Sequence, residues 1–275
     1  MKLEVEELTY EYKRLVGSST FGLSGFSAEF PERMVTAVMG ESGSGKSTLV
    51  RLLNGLLKPT SGRVLVDGID IWSEGYDRFT LRSKVGVVFQ FAESQLFEET
   101  VLKDVMYGPL NMGMGKNEAK AKAIEALSML GMGKGYLEKS PFHLSGGEKR
   151  RVALAGILAM DPEVLVLDEI AAGLDSLSHD KVFSLFSVLK EKGKTVIFVT
   201  HSADDAAQAG DRIIYLDNGH KVAEGNARDV FSTGLVPLPE AEMAARILRN
   251  AGHDIRKVVL TIDELAEELE KEMKA

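Results

Sequence analysis

The octapeptide Gly40-Glu41-Ser42-Gly43-Ser44-Gly45-Lys46-Ser47 joins a short apolar run to an amphipathic segment, and the rest of the chain is arranged around it. Its spacing follows G-x-x-x-x-G-K-[ST], in which glycines let the backbone curl so that its N–H groups face phosphates. Lys46 is expected to reach the β- and γ-phosphates, and the Ser47 hydroxyl to hold Mg²⁺. A Gly-rich turn can match by chance, but the strand predicted before it and the helix predicted after it favour a phosphate-binding loop.

Strands and helices alternate on both sides of this loop. The apolar run Val35 to Met39 ends in glycine and predicts a buried strand, and a helix is predicted from about Lys46 to Leu56. Further buried strands are predicted at Val85 to Phe89, Val164 to Leu167 and Thr195 to Val199. Alternation of this kind predicts an α/β fold with a parallel sheet.

Three regions depart from that alternation. Apolar alternation in Leu3 to Leu8 and near Phe26 to Phe30 predicts an antiparallel β subdomain. The stretch from about 94 to 160 is helical in pattern and predicts a helical subdomain inserted into the α/β core. We therefore expect one main domain over residues 1–231, followed by a small helical C-terminal appendage over residues 232–275.

Composition excludes several classes of function. The 275 residues carry a formal net charge of −8, which argues against a nucleic-acid partner because such proteins neutralise phosphates with basic surfaces. The chain has no cysteine, so disulfides and thiolate metal sites are excluded. Nowhere do about 18 apolar residues run together, so a membrane-spanning helix is not expected and any membrane role must go through a partner.

Two adjacent carboxylates follow a buried strand. Asp168 and Glu169 come directly after the apolar run Val164 to Leu167. Neighbouring side chains at a strand end point in different directions. Asp168 can therefore serve the Mg²⁺ shell, while Glu169 faces an attacking water as a general base.

A second candidate anion site lies far along the sequence, in the stretch Leu144-Ser145-Gly146-Gly147-Glu148. It opens a predicted helix, Ser145 is a suitable N-cap, and the Gly-Gly backbone can approach an anion closely. The alternative is an ordinary helix start. As a phosphate site, it suggests that two chains face each other head to tail with each nucleotide between them.

In order and spacing, these elements resemble those of ABC ATPases over about residues 1–230, together with Gly173-Leu174-Asp175 and His201. Within that family the chain is most similar to the ATPases of energy-coupling factor transporters, which import cobalt, nickel and vitamins. That narrower resemblance rests on Gln95 to Phe97, Thr100-Val101, Asp104 to Gly113, Ala155 to Pro162, Pro237 and Leu260 to Leu265.

The resemblance implies an ATP hydrolase that uses ATP and Mg²⁺ and lies peripherally at the cytoplasmic face of the cell membrane. Its implied partners are a second ABC ATPase subunit, identical or paralogous, a transmembrane scaffold subunit and a substrate-binding membrane subunit. The alternatives are an ATPase of another ABC transporter class and a catalytically weak regulatory partner in a heterodimer. DNA-repair ABC proteins need a long coiled coil for which this chain has no room, and ribosome-acting ones carry two cassettes.

Site roles follow residue by residue from the resemblance. Glu169 corresponds to the catalytic base, and His201 to the switch histidine that contacts the γ-phosphate. Gln90 corresponds to the sensor of Mg²⁺ and γ-phosphate, and Asp175 to the residue that couples the two sites. The metal ligands implied are Ser47, Gln90 and Asp168. The catalytic residues implied are Lys46, Gln90, Glu169 and His201.

The nucleotide contacts implied begin with Tyr12, which stacks on adenine and has Tyr10 as its rival. Ser145 and Gly147 are expected to bind the γ-phosphate held by the other subunit. The remaining contacts are those of the phosphate loop and the residue after it, Gly40, Glu41, Ser42, Gly43, Ser44, Gly45, Lys46, Ser47 and Thr48. One departure from the family is that Ile170 and Ala171 replace the usual proline and threonine, which is expected to loosen the turn that aims Glu169.

A docking surface is expected in the groove between residues 90–101 and the helical insertion. Phe91, Leu96 and Phe97 are apolar within a polar stretch, and we expect them to be exposed. Methionine suits surfaces that re-pack against partners. The methionines concerned are Met106, Met112, Met114, Met129 and Met132. The alternative is that these apolar residues fill the core of the small helical subdomain.

Overall fold

The computed structural model describes residues 1–13, 20–171, 176–255 and 257–274. The strands are β1 (Leu3–Tyr12), β2 (Thr20–Phe30), β3 (Val35–Met39), β4 (Ser61–Val66), β5 (Ile69–Asp70), β6 (Val85–Val88), β7 (Val164–Asp168), β8 (Thr195–Thr200), β9 (Arg212–Asp217) and β10 (His220–Gly225). The helices are α1 (Lys46–Leu53), α2 (Arg78–Lys84), α3 (Val101–Asn111), α4 (Lys116–Met129), α5 (Gly146–Leu158), α6 (Ser176–Glu191), α7 (Ala203–Ala209), α8 (Ala227–Ser232), α9 (Glu240–Asn250) and α10 (Ile262–Lys274). Short 3₁₀ turns cover 92–95, 134–136 and 141–143.

The central sheet has the strand order β10-β9-β3-β8-β7-β6, parallel except for β10. Strands β3, β6, β7 and β8 are buried along their whole length, as expected when helices cover both faces of a parallel sheet. In the register, Met39 pairs with Thr200 and Asp168 pairs with Val199. The carboxyl ends of β3, β7 and β8 therefore meet at one edge of the sheet.

The antiparallel sheet has the order β2-β1-β4-β5 and packs on one face of the central sheet. Its β1–β2 pair runs from Leu3 opposite Phe30 to Tyr12 opposite Thr20. Phe26 and Phe30 join the hydrophobic cluster that contains α1 and Val166. This packing brings the far end of the pair, at Tyr12, beside α1.

The helical insertion covers the opposite face of the central sheet. Its helices α3, α4 and α5 lie within the stretch predicted to be helical, about 94 to 160, and their buried residues share one hydrophobic cluster with Leu165 and Phe198. Thr100 caps α3 by accepting a hydrogen bond from Lys103 N. Helix α1 ends earlier than predicted, because the chain turns at Asn54 and Gly55 adopts a left-handed backbone.

The C-terminal helices α9 and α10 have a small cluster of their own around Ala241, Ala245 and Leu265. At its centre, the buried Glu242 carboxylate accepts hydrogen bonds from Arg249 and from Val259 N. These partners hold the pKa of Glu242 below its usual range despite its burial. The division of the chain at residue 231 stays a prediction. Within the described ranges, no helix combines the length and the apolar character that crossing a bilayer requires.

Candidate nucleotide-binding and catalytic site

The octapeptide 40–47 lies between β3 and α1 and adopts a conformation that requires glycine. Gly40 has φ 153°, and a Cβ there would lie 2.2 Å from the Leu216 carbonyl oxygen. Gly45 has φ 110°, and its Cβ would lie 2.2 Å from the Gly22 carbonyl oxygen. Both positions are closed to any side chain, so the loop's path depends on these two glycines.

The Lys46 ammonium group is buried inside this loop. Its Nζ donates hydrogen bonds of 2.7 Å to the carbonyl oxygens of Gly40 and of Glu41. Burial lowers the pKa of Lys46, and the nearby carboxylates of Glu169 and Asp168 oppose that shift. A bound phosphate group would add negative charge beside the buried ammonium and favour its charged form.

Asp168 ends β7 with a buried carboxylate whose Oδ1 has no hydrogen-bond partner in the described part of the chain. Burial raises the pKa of Asp168, and the Ser47 hydroxyl opposes part of that shift. Mg²⁺ prefers hard oxygen ligands and is often held by one or two carboxylates plus substrate phosphates. An unsatisfied carboxylate oxygen close to a hydroxyl fits that requirement, so these residues suit the predicted cation.

Glu169 lies between two polar side chains from other strands. Its Oε2 accepts a hydrogen bond of 2.8 Å from Gln90 Nε2, and its Oε1 is 3.7 Å from His201 Nδ1. The backbone N–H of Glu169 donates to the Val199 carbonyl oxygen at 3.2 Å. Three of the predicted catalytic residues are thus brought together at one edge of the sheet.

The backbone around this acid is strained. Glu169 has φ 50°, and Phe91, the residue after Gln90, has φ 60°. A left-handed backbone costs a non-glycine residue about 1–3 kcal/mol and often marks a functional site. Ile170 is buried directly after Glu169, so the turn forms without the proline that the family usually has. The expected effect of that replacement on the turnover rate stays a prediction.

A cavity of about 270 Å³ opens at the loop and is bordered by Ser47, Gln90 and Glu169. Tyr12 lines it, and the Tyr12 hydroxyl lies 3.1 Å from Thr48 Oγ1. Tyr10 packs edge-on against the Tyr12 ring at 4.8 Å. The cavity wall also contains Phe21, which sequence reasoning missed because no motif surrounds it.

Ser145 caps helix α5 in a different part of the molecule. Its Oγ accepts from Glu148 N, and its own N–H donates to Glu148 Oε2 at 2.8 Å. Tyr136 donates to the other oxygen of Glu148 at 2.9 Å. Of the residues that the structure describes, Ser145 and Gly147 are not in the wall of the 270 Å³ cavity. The predicted coupling residue Asp175 lies outside the described residues.

A larger cavity of about 480 Å³ lies between residues 92–97 and helices α3 and α5, and we call it the helical groove. Phe97 and Tyr107 stand at its rim, about half exposed and packed edge to face with ring centres 4.8 Å apart. The prediction that Leu96 is exposed is wrong, because only 8% of it is accessible. The Asp104 carboxylate accepts hydrogen bonds from Phe97 N and Glu98 N, which fixes the chain while Leu96 packs into the core cluster.

The methionines predicted for this surface divide into two groups. Met106 and Met132 are buried in the main core cluster, and Met114 and Met129 pack against it, so these four mainly fill the interior. Met112 lines the helical groove. Met106 and Met129 lie on α3 and α4, which pack against the core, whereas Met114 and Met132 lie in the loops that follow these helices. A count of methionines in the sequence does not distinguish core-facing positions from exposed ones.

Sequence reasoning also missed an ion pair that connects the Gln90 loop to α5. Arg150 donates to both carboxylate oxygens of Glu93, at 3.3 and 3.1 Å. The pKa of Glu93 is lowered mainly by this guanidinium group. The partners are 57 residues apart in sequence, so only the fold could pair them.

Residues 23–172 match the family described as ABC transporter. The energy-coupling factor transporter ATP-binding protein EcfA2 of Clostridium perfringens (strain 13 / Type A) is 40% identical over 278 residues, covering 98% of this chain and 97% of that protein. These matches confirm the predicted family.

Solved structures agree with the fold. The structure of cbiO1 from Clostridium perfringens, described as part of the ABC transporter complex cbiONQ, superposes with a TM-score of 0.76 and 35% identity, covering 91% of this chain and 97% of that one. A dimeric ATP-binding cassette in a post-hydrolysis state, bound to ADP and Pi, gives a TM-score of 0.73 at 33% identity, covering 82% and 99%. The predicted fold class is confirmed.

Proposed function

This chain belongs to the ABC transporter family, and from that premise we propose that it is an ATP-hydrolysing subunit that drives an energy-coupling factor importer of vitamins or transition metals. The single observation that carries the proposal is the placement of Glu169. Its carboxylate stands at the end of β7, next to Asp168 and hydrogen-bonded to Gln90, at the wall of the phosphate-loop cavity. A base in this position can accept a proton from a water aimed at the γ-phosphate.

Catalysis on this proposal is mainly positioning and electrostatics. Lys46 and the N–H groups of the loop stabilise the charge that develops on the phosphates. Ser47, Asp168 and Gln90 would hold Mg²⁺, which neutralises phosphate charge when it is bound. The proposal has His201, whose ring lies 3.7 Å from Glu169, contact the γ-phosphate. It has Tyr12, whose hydroxyl lies 3.1 Å from Thr48 Oγ1, stack on adenine.

The nucleotide site is completed by a second ATPase subunit, identical or paralogous. Support comes from the separation of Ser145 and Gly147 from the phosphate-loop cavity, since each would serve the nucleotide held by the other subunit in a head-to-tail dimer. Asp175 is proposed to couple the two sites. ATP then favours the closed dimer and hydrolysis releases it, which is a population shift that a partner can use.

The helical groove is the proposed coupling surface for the transmembrane scaffold, which also carries a substrate-binding membrane subunit. The groove is apolar, has exposed aromatic rings at its rim and follows directly from the Gln90 loop. A helix from the scaffold fits a concave apolar surface of this kind. On this proposal the chain lies peripherally at the cytoplasmic face of the membrane.

Steady-state hydrolysis of Mg-ATP tests the proposal, measured on the purified chain and again with its ATPase partner and scaffold. We expect hydrolysis that depends on Mg²⁺ and rises when the membrane subunits are present. Absence of Mg²⁺-dependent ATP hydrolysis in both preparations would refute the proposed activity.

A further inference from the structure

Two helices are joined by one hydrogen bond close to the catalytic edge. His179, in the first turn of α6, has its Nε2 3.0 Å from Asp205 Oδ1 on α7. The imidazole ring also stacks on Phe183, with ring centres 4.3 Å apart and planes at 12°. Both side chains are mostly buried, at 24% and 16% accessible. The orientation of His179 is therefore fixed by a ring contact and a polar contact together.

The other oxygen of Asp205 leads to the residues that flank His201. Asp205 Oδ2 accepts a hydrogen bond of 3.2 Å from Thr200 Oγ1, and Thr200 Oγ1 accepts one of 3.0 Å from Ser202 N. Ser202 Oγ in turn accepts from Asp205 N at 3.1 Å. The backbone on both sides of His201 is therefore tied to one carboxylate.

His201 itself has little else to hold it. Its side chain is 64% accessible, and its ring approaches Glu169 at 3.7 Å. An exposed side chain takes its direction from its backbone when few contacts fix its rotamer. The position of the His201 ring then depends on the closed network of Thr200, Ser202 and Asp205.

We propose that His179 and Asp205 are positioning residues that hold the His201 ring near Glu169 and couple the orientation of that ring to helix α6. This inference rests on the proposed function, in which His201 contacts the γ-phosphate. Helix α6 begins at Ser176, directly after the segment that contains Asp175. The bond from His179 to Asp205 thereby connects the first turn of α6 to the residues on either side of His201.

Two substitutions at one position separate the polar contact from the ring contact. His179→Phe keeps a ring that can stack on Phe183 and removes the hydrogen bond, whereas His179→Gln keeps an amide donor and removes the ring. Asp180→Ala is the matched control, because Asp180 is the exposed neighbour on the same helix and contacts His179 only at 3.7 Å through Nδ1.

Turnover and ATP affinity are measured for each variant in the assembled transporter. We expect His179→Phe to lower kcat about tenfold with KM for ATP nearly unchanged, because small misplacements of a catalytic group are costly while binding contacts remain. His179→Gln should recover most of the rate, and Asp180→Ala should match the wild type. In a His201→Ala background, His179→Phe should cause no further fall in kcat, since His179 is proposed to act through the His201 ring.

A second readout does not depend on hydrolysis. The His201 ring resonance, assigned with His201→Gln in ¹³C-histidine-labelled protein, should move in His179→Phe and keep its position in His179→Gln. An unchanged resonance in His179→Phe, or an additive loss in the His201→Ala background, overturns the inference. A wild-type transporter that fails to hydrolyse ATP refutes the proposed function, and the resonance still decides the positioning role.

Discussion

The sheet edge and the helical insertion differ in how their side chains are paired within the chain. At the sheet edge, the polar groups of Lys46, Gln90 and Glu169 are matched by groups of the same chain. On the helical insertion, Ser145 and Glu148 cap the first turn of α5, and the rings of Phe97 and Tyr107 are about half exposed at the rim of the helical groove. The first region is the proposed phosphate and Mg²⁺ site of one chain. The second is where we propose that other chains bind.

Glu169→Gln gives the largest effect expected at the sheet edge. It removes the base and keeps the shape of the side chain, so turnover should fall by about 10²- to 10⁴-fold while ATP binding persists. Single-turnover hydrolysis and nucleotide binding are measured on the same preparation. Hydrolysis near the wild-type rate would mean that Glu169 is not the base.

Ser145→Arg tests the first turn of α5 as a site for another chain's nucleotide. The bulky cation should block dimer closure and lower turnover by about tenfold or more, since an unpaired buried charge is costly. Monomer affinity for ATP should stay nearly unchanged, in contrast to Lys46→Ala, which removes a charge-assisted contact. Gel filtration with ATP in a Glu169→Gln background measures the dimer. Persistent ATP-driven dimers in the Ser145→Arg variant contradict the assignment.

Phe97→Asp and Leu96→Asp form a matched pair at the helical groove. Phe97 is 55% accessible, so its replacement should leave ATP binding intact and weaken scaffold association by about tenfold or more, as at an interface hot spot. Leu96 is buried, so an aspartate there should destabilise the fold instead. Co-purification with the scaffold and thermal unfolding are measured for both. Equal scaffold binding by the Phe97→Asp variant and the wild type would show that the helical groove is not the coupling surface.

Asp168→Asn gives the smallest effect and tests the sheet edge without ligand. Burial raises the pKa of Asp168, so the ionised form destabilises the folded state as pH rises above the pKa of the unfolded chain. The asparagine side chain does not ionise, so the variant does not lose this stability as pH rises. It should unfold at a higher temperature than the wild type at pH 7.5, with a smaller difference at pH 4. Thermal unfolding without Mg²⁺ or nucleotide checks this, with the exposed Asp217→Asn as control. A lower unfolding temperature for Asp168→Asn at pH 7.5 contradicts it.

The sequence predicted those parts of the site that depend on local pattern. The glycines of 40–47, the strand before them and the two acids at the end of β7 depend on neighbours within about ten positions, so motif and periodicity were sufficient to predict them. The bond between Gln90 and Glu169 joins residues 79 positions apart, and that between His179 and Asp205 joins residues 26 apart. Such pairs depend on strand order and helix packing, which local patterns in a single sequence do not reveal.

The burial of Leu96 was mispredicted for a related reason. An apolar residue in a polar stretch is consistent with either an exposed contact or an anchor into the core. What decides between them is the pair of hydrogen bonds from Phe97 N and Glu98 N to Asp104, which sets the direction of the neighbouring side chain. That geometry is visible only once α3 is in place.

The left-handed backbone of Glu169 has a consequence for how this chain responds to selection. A glycine at this position would relieve the strain and stabilise the folded state, since glycine adopts φ 50° without steric penalty. It would also delete the carboxylate on which turnover is proposed to depend. Selection for stability and selection for activity therefore pull this one position in opposite directions, and a thermostability screen that ignores activity should drift toward glycine there.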